Sequence, residues 1–269
     1  MSDRSTRRPI ARPVLSSLVV GASLIASTPA HAEKFYSVWR LQQTLPPDPI
    51  DARFSKPFLE QRLLPYRAAK LLAPATLADG TQINAGTYLF AVFQADGQQA
   101  FCTVKDRSIG NAVKSAFVPA LDKRPCFVDA DTDGDFDRIF TVFDKYGSAL
   151  TPSGNLSSAV ALAKPAAYQA VDPTEFPYKF LFDYALSGSR TPEKARIAVR
   201  FDNGKGFQPL TGEQQRSAPD TPLAMNIAVK IHRVTDDHAS ISIAADPALY
   251  IVGESGGYFA PAALPAYVR

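Results

Sequence analysis

Residues 226–246 read NIAVKIHRVTDDHASISIAAD, with apolar side chains at alternate positions on both sides of a polar turn. A period of two is that of a strand with one buried face, so the spacing predicts a β-hairpin. KFYSVWRLQQ (34–43), RIFTVFDKYG (138–147), PYKFLFDYALSG (177–188) and KARIAVRFDNG (194–204) also read as strands. In TQINAGTYLFAVFQADGQQAFCTV (81–104), Gly-containing turns separate β-rich runs, the pattern of a meander. PFLEQRLLPYRAAKLLAPATL (57–77) fits helix or strand, but Pro65 would break a long helix and predicts two short elements. IGNAVKSAFVPALDKRP (109–125) has room for one short helix. TPSGNLSSAVALAKPAAYQAVDP (151–173) is rich in Ser, Ala and Pro and reads as a loop with a short apolar piece. The expected fold is mainly β, antiparallel and sandwich-like, with few short helices. Its organisation is a β-rich region over 33–150 and a second over 151–269, or one continuous domain over 33–269. No repeat of fixed period is present.

The first 32 residues follow a different pattern. MSDRSTRRPIARP carries Arg4, Arg7, Arg8 and Arg12, VLSSLVVGASLIA is a short apolar run, and Ala30-His31-Ala32 offers small residues to a peptidase. A basic start, a short apolar middle and an A-x-A exit predict a secretory signal cleaved near Ala32, and hence a periplasmic or secreted protein. Arg7-Arg8 hints at twin-arginine export, although the following PIA fits that route poorly. The apolar run is short for a bilayer span, and no other segment is apolar enough to cross one.

Removing the signal changes the charge. The chain has 29 basic and 26 acidic residues, and four basic and one acidic residue lie in the signal. The remainder is formally neutral, so the high pI is an export feature, and no nucleic-acid partner is expected. Both cysteines, Cys102 and Cys126, lie in the exported part. Outside the cytoplasm such a pair is expected to form a disulfide.

The densest chemistry is CFVDADTDGDFDRIF (126–140). With Asp129 as position 1, Asp131 is 3, Asp133 is 5, Gly134 is 6, Asp135 is 7 and Asp137 is 9. Oxygen ligands at 1, 3, 5 and 9, with Gly at the sharp bend, wrap a chain around Ca²⁺. Clustered carboxylates repel, and a cation converts that cost into attraction. An EF-hand would place Glu at position 12, where this chain has Phe140, and would have helical flanks. The alternative is a solvated acidic turn. The D-x-D-x-D-G-x-x-D pattern resembles the calcium loops of FG-GAP repeats, and is similar to those of dockerin and thrombospondin type 3 modules. That resemblance covers about fifteen residues. It implies Ca²⁺ on Asp129, Asp131, Asp133 and Asp137, with the Asp135 carbonyl, and does not extend to a propeller fold. Lys105, Arg107, Lys114, Lys123 and Arg124 either offset this charge or form a solvated face.

Gly253-Glu254-Ser255-Gly256-Gly257 fits the G-x-S-x-G nucleophile elbow and looks like a serine-protease motif. An α/β-hydrolase needs its acid and His after that Ser, and no Asp, Glu or His follows Gly257. His238 as base with Asp236 or Asp237 as orienter is the remaining arrangement, against a plain Gly-rich turn. His232 reads as a residue on the polar face of a strand. Phe35, Tyr36 and Trp39 are candidates for a sugar site or for core packing. Asn155-Leu156-Ser157 is a glycosylation sequon. The expected function is an exported calcium-binding protein of structural or binding role, with a protein or glycan partner possible. Alternatives are a serine hydrolase using Ser255 and a carbohydrate-binding module.

Overall fold

The alternating runs become strands. A computed structural model describes residues 34–42, 45–104, 123–143, 154–188, 191, 195–202, 207–209, 223–225, 227–254 and 258–268. In chain order the strands are β1 (Tyr36–Leu41), β2 (Ile50–Arg53), β3 (Pro57–Pro65), β4 (Ala68–Leu71), β5 (Ala75–Thr76), β6 (Gln82–Ile83) and β7 (Tyr88–Phe93). There follow β8 (Gln99–Thr103), β9 (Lys123–Val128), β10 (Asp135–Phe143), β11 (Val160–Val171), β12 (Phe180–Gly188) and β13 (Ala195–Asp202). The last six are β14 (Phe207–Pro209), β15 (Leu223–Ala224), β16 (Ile227–Val234), β17 (His238–Ala245), β18 (Leu249–Glu254) and β19 (Tyr258–Ala263). The only helices among the described residues are single 3-10 turns, such as Leu156–Ser158. None is long and apolar enough to cross a membrane. The expected leader and residues 109–122 of the expected helix lie outside the described residues.

Every pairing between these strands is antiparallel, and one isolated parallel bridge joins Phe54 to Leu186. The main sheet runs β14-β13-β12-β3-β1-β7-β4-β11-β10-β9-β8, and β8 also pairs with β7. Six strands, β7-β4-β11-β10-β9-β8, therefore close on themselves as a small barrel, which leaves no strand edge between neighbours in the ring. Closure depends on β7, which gives one edge to β8 and divides the other between β4 and β1. Strands β18 and β19 extend the sheet from the other edge of β1. Residues Ala32–Arg269 form one compact unit, and strands from both sides of residue 151 share this sheet.

A second sheet, β15-β16-β17-β2, packs sandwich-like on the first. Its inward Ala52, Ile227, Val229 and Ile241 share a core with Phe182, Tyr184 and Leu186. The Pro65 break is also present. β3 runs alongside β1, the chain bends at Tyr66-Arg67, and β4 continues alongside β7. YLFAVF in β7 is apolar at every position because both faces are buried. Phe90 and Val92 enter one core and Leu89, Ala91 and Phe93 the other.

The structure departs from the sequence reading at 151–173. VALAKPAAYQAV is a twelve-residue strand, β11, rather than a loop with a short apolar piece. Its alanines carry little strand signal. Pairing with β10 on one side and β4 on the other holds it extended. Pro165 sits where the β10–β11 register shifts between Phe136 and Arg138, a place where its missing N–H costs no ladder bond.

Candidate metal centre

The acidic stretch is the turn of the β9–β10 hairpin. Pairing runs from Phe143↔Lys123 up to Arg138↔Val128, and the loop then bulges out. Gly134 at φ +97° makes the bend that a Cβ would strain. Thr132 takes the left-handed region too, at φ +63°. It is held there by its N–H donating to Asp129 Oδ1 at 2.6 Å and its hydroxyl donating to the Asp131 carbonyl at 2.6 Å. Asp129 also accepts from the Gly134 N–H at 3.1 Å, and Asp137 from the Ala130 N–H at 3.0 Å. The first and last carboxylates thus tie the loop into a ring.

Asp129, Asp131 and Asp137 each place a carboxylate oxygen within 4.8 Å of the others. Two ligands on one Ca²⁺ at roughly 2.4 Å can stand at most about 4.8 Å apart. The three oxygens therefore have the spacing of ligands around one such cation. Asp133 and Asp135 lie outside this trio. Asp133 Oδ1 accepts from the Asp135 N–H at 2.8 Å, and Asp135 opens β10 opposite Ala167. The Asp131 carboxyl is held above its ordinary pKa. Partial loss of hydration is the first cause, and repulsion from Asp133, Asp137 and Asp129 adds to it.

A residue that the sequence reading missed completes the site. Tyr168 of β11 donates its hydroxyl to Asp129 Oδ2 at 2.9 Å. Its ring stacks on Phe136, with centroids 4.0 Å apart and planes 10° apart. Phe101, Phe127 and Phe136 extend this into an aromatic floor beneath the loop. Burial, and then the hydrogen bond to Asp129, push the Tyr168 phenol up to about 12. Nothing around Tyr168 in the sequence announces this, because the pair is 39 residues apart.

On the other shoulder, Cys102 and Cys126 face each other across β8–β9 and form a disulfide, with Cα atoms 4.0 Å apart. Arg124 is buried on β9 and donates to the Thr103 carbonyl at 3.3 Å, so it belongs to the core rather than to a solvated face. Lys105, Arg107 and Lys114 lie outside the described residues.

Of the other candidates, Ser255 lies outside the described residues, between the paired strands β18 and β19. Among the described residues, His238 Nδ1 lies 2.6 Å from Asp237 Oδ1, and Arg53 lies 3.8 Å from the same carboxylate. His232 Nε2 is 2.6 Å from Ser242 Oγ on the exposed side of the β16–β17 hairpin. Phe35 and Trp39 are buried core residues, and Tyr36 pairs with Tyr267.

Comparisons with protein-family models, with curated proteins and with solved structures found no match.

Proposed function

We propose that this is an exported calcium-binding protein in which the Asp129–Asp137 loop holds one Ca²⁺. The observation that carries this reading is the convergence of Asp129, Asp131 and Asp137 oxygens within 4.8 Å. Ca²⁺ takes six to eight oxygen ligands, so Asp133, the Asp135 carbonyl and water complete the shell in this reading. The role is structural or binding. The ion would lock the β9–β10 hairpin onto β11 through Asp129 and Tyr168. Where calcium is plentiful, the folded state would gain stability by mass action. The disulfide supports an oxidising compartment, and the sequence of residues 1–32 supports export.

Terbium luminescence tests the reading. Tb³⁺ substitutes for Ca²⁺ in oxygen sites and is sensitised by a nearby tyrosine, here Tyr168. Bright emission that Ca²⁺ competes away, and that Asp131→Asn and Tyr168→Phe each reduce, supports the proposal. Emission indifferent to Ca²⁺ and to Asp131→Asn refutes it.

A further inference from the structure

Pairing between β8 and β9 stops at Phe101↔Phe127. Beyond that point the β7–β8 turn and the acidic loop diverge. Two clefts open there, and both are walled by Gln99 and Asp129. The first, about 430 Å³, is bordered by Gln94, Asp96, Gln98, Arg138 and Ser157, over Val128 and Leu156. The second, about 410 Å³, is bordered by Arg67, Thr132 and Asp133, with Phe101 and Tyr168 at its base.

The chemistry of these walls is narrow. Three carboxamides, three carboxylates, two guanidinium groups and three hydroxyls line them. Planar groups of this kind present paired donors and acceptors, which match adjacent hydroxyls. The side chains are held in place. Gln94 is 8% exposed, Gln98 Nε2 donates to Asp96 Oδ2 at 2.9 Å, and Arg67 donates to Gln99 Oε1 at 2.6 Å. Arg138 is anchored by donating to the Ala159 carbonyl at 2.7 Å. With Asp129 and Asp133 given to the ion, the charges left on the walls are Asp96, Arg67 and Arg138, and both guanidinium groups are already engaged with Gln99 and the Ala159 carbonyl, which favours a neutral ligand over an anionic one. An extended peptide is a poorer fit, because neither cleft offers a deep apolar pocket for alternate side chains.

We propose that the paired clefts meeting at Gln99 and Asp129 bind a neutral saccharide chain, with Phe101 and Tyr168 as the apolar base of one subsite. This goes beyond the ion, and rests on the calcium reading only for the position of Asp129 and the charge left on the walls.

The test is an array of neutral and uronic-acid-containing oligosaccharides, probed with the full oxidised protein in Ca²⁺ and in EDTA. The expected result is retention on neutral glycans in Ca²⁺, with affinity lowered about tenfold by Gln99→Ala and by Gln98→Ala, as for a lost hydrogen bond to a desolvated partner. Lys230→Ala, on the exposed side of β16, serves as a control and should bind as wild type. Gln98 is exposed, so its variant separates lost binding from lost folding. No retention on any neutral glycan, or retention untouched by both glutamine variants, overturns the proposal. Binding in EDTA equal to that in Ca²⁺, with both glutamine effects intact, would keep the saccharide site while removing its link to the ion.

Discussion

The Tyr168 hydroxyl donates to Asp129 Oδ2 at 2.9 Å, while its ring lies flat on Phe136. One side chain thus joins the first carboxylate of the acidic loop to the barrel core. An outer partner of this kind orients a ligand and typically contributes a factor of ten or more to metal affinity. Tyr168→Phe keeps the stack and removes only the donor. It is expected to weaken Ca²⁺ binding about tenfold in a calorimetric titration, with an unchanged circular dichroism spectrum. Ca²⁺ should also lower the Tyr168 phenol from about 12, because the cation offsets the carboxylate charge that opposes phenolate. Affinity equal to wild type would remove Tyr168 from the site.

Stability at high pH follows from the same group. Tyr168 and Tyr267 are both raised from 10.0 to about 12, with burial as the first cause. A group raised in the folded state contributes stability that is fully present below its unfolded pKa and is lost as pH rises through the folded one. The urea midpoint should therefore hold up to about pH 10 and fall between about pH 10 and 12. Tyr267→Phe should make that fall shallower. An unchanged slope in this variant would contradict the assignment.

Asp131 acts in the same direction at acid pH, opposite to the usual carboxylate whose pKa is lowered on folding. Its carboxyl is raised in the metal-free loop by partial loss of hydration and by its acidic neighbours. The ionised form is thus a burden to the folded apo protein, relieved as pH falls through the folded pKa. Asp131→Asn should raise the melting temperature in EDTA and abolish any gain from Ca²⁺. A variant that melts below wild type in EDTA would show that Asp131 supports the loop in another way.

The acidic cluster was legible because its carboxylates sit at fixed spacing within nine residues, and Asp129, Asp131 and Asp137 do come together. The hairpin of β16 and β17 was legible because a period of two survives in a half-buried pair. β11 was not, because Ala161, Ala163, Ala166 and Ala167 carry little strand signal, and of these four only Ala166 is buried. With β11 went Tyr168, whose meeting with Asp129 depends on β11 lying beside β10. Closure of the ring by β7–β8 was also hidden, since a meander predicts that pairing in an open sheet as readily as in a barrel.

The disulfide links β8 to β9 three residues before Asp129. In the chain-entropy model it contributes roughly 3 kcal/mol. Reduction should lower stability by about that amount and weaken Ca²⁺ binding, since β9 then has fewer constraints. Equal Ca²⁺ affinity in reduced, still folded protein would separate the bridge from the site.

Asp183 is fully buried on β12, and Arg200 of β13 grips it from directly across the ladder through Nε and a second nitrogen. Removing one partner of such a pair leaves an uncompensated buried charge. Arg200→Ala should cost about 3 kcal/mol in denaturant unfolding without changing Ca²⁺ affinity, because the pair is remote from the loop in the sheet order. A loss below about 1 kcal/mol would place the pair among exposed bridges of little consequence.

The most direct measurement is thermal unfolding of the oxidised protein in excess Ca²⁺ and in EDTA, for wild type and Asp131→Asn. At about a hundredfold excess over Kd, binding contributes about 2.7 kcal/mol, and for a domain of this size that corresponds to a rise of roughly 5–10 °C. Such a rise in wild type, absent in the variant, is the predicted result. The same midpoint in Ca²⁺ and in EDTA would contradict the account and leave Asp129–Asp137 a charged turn.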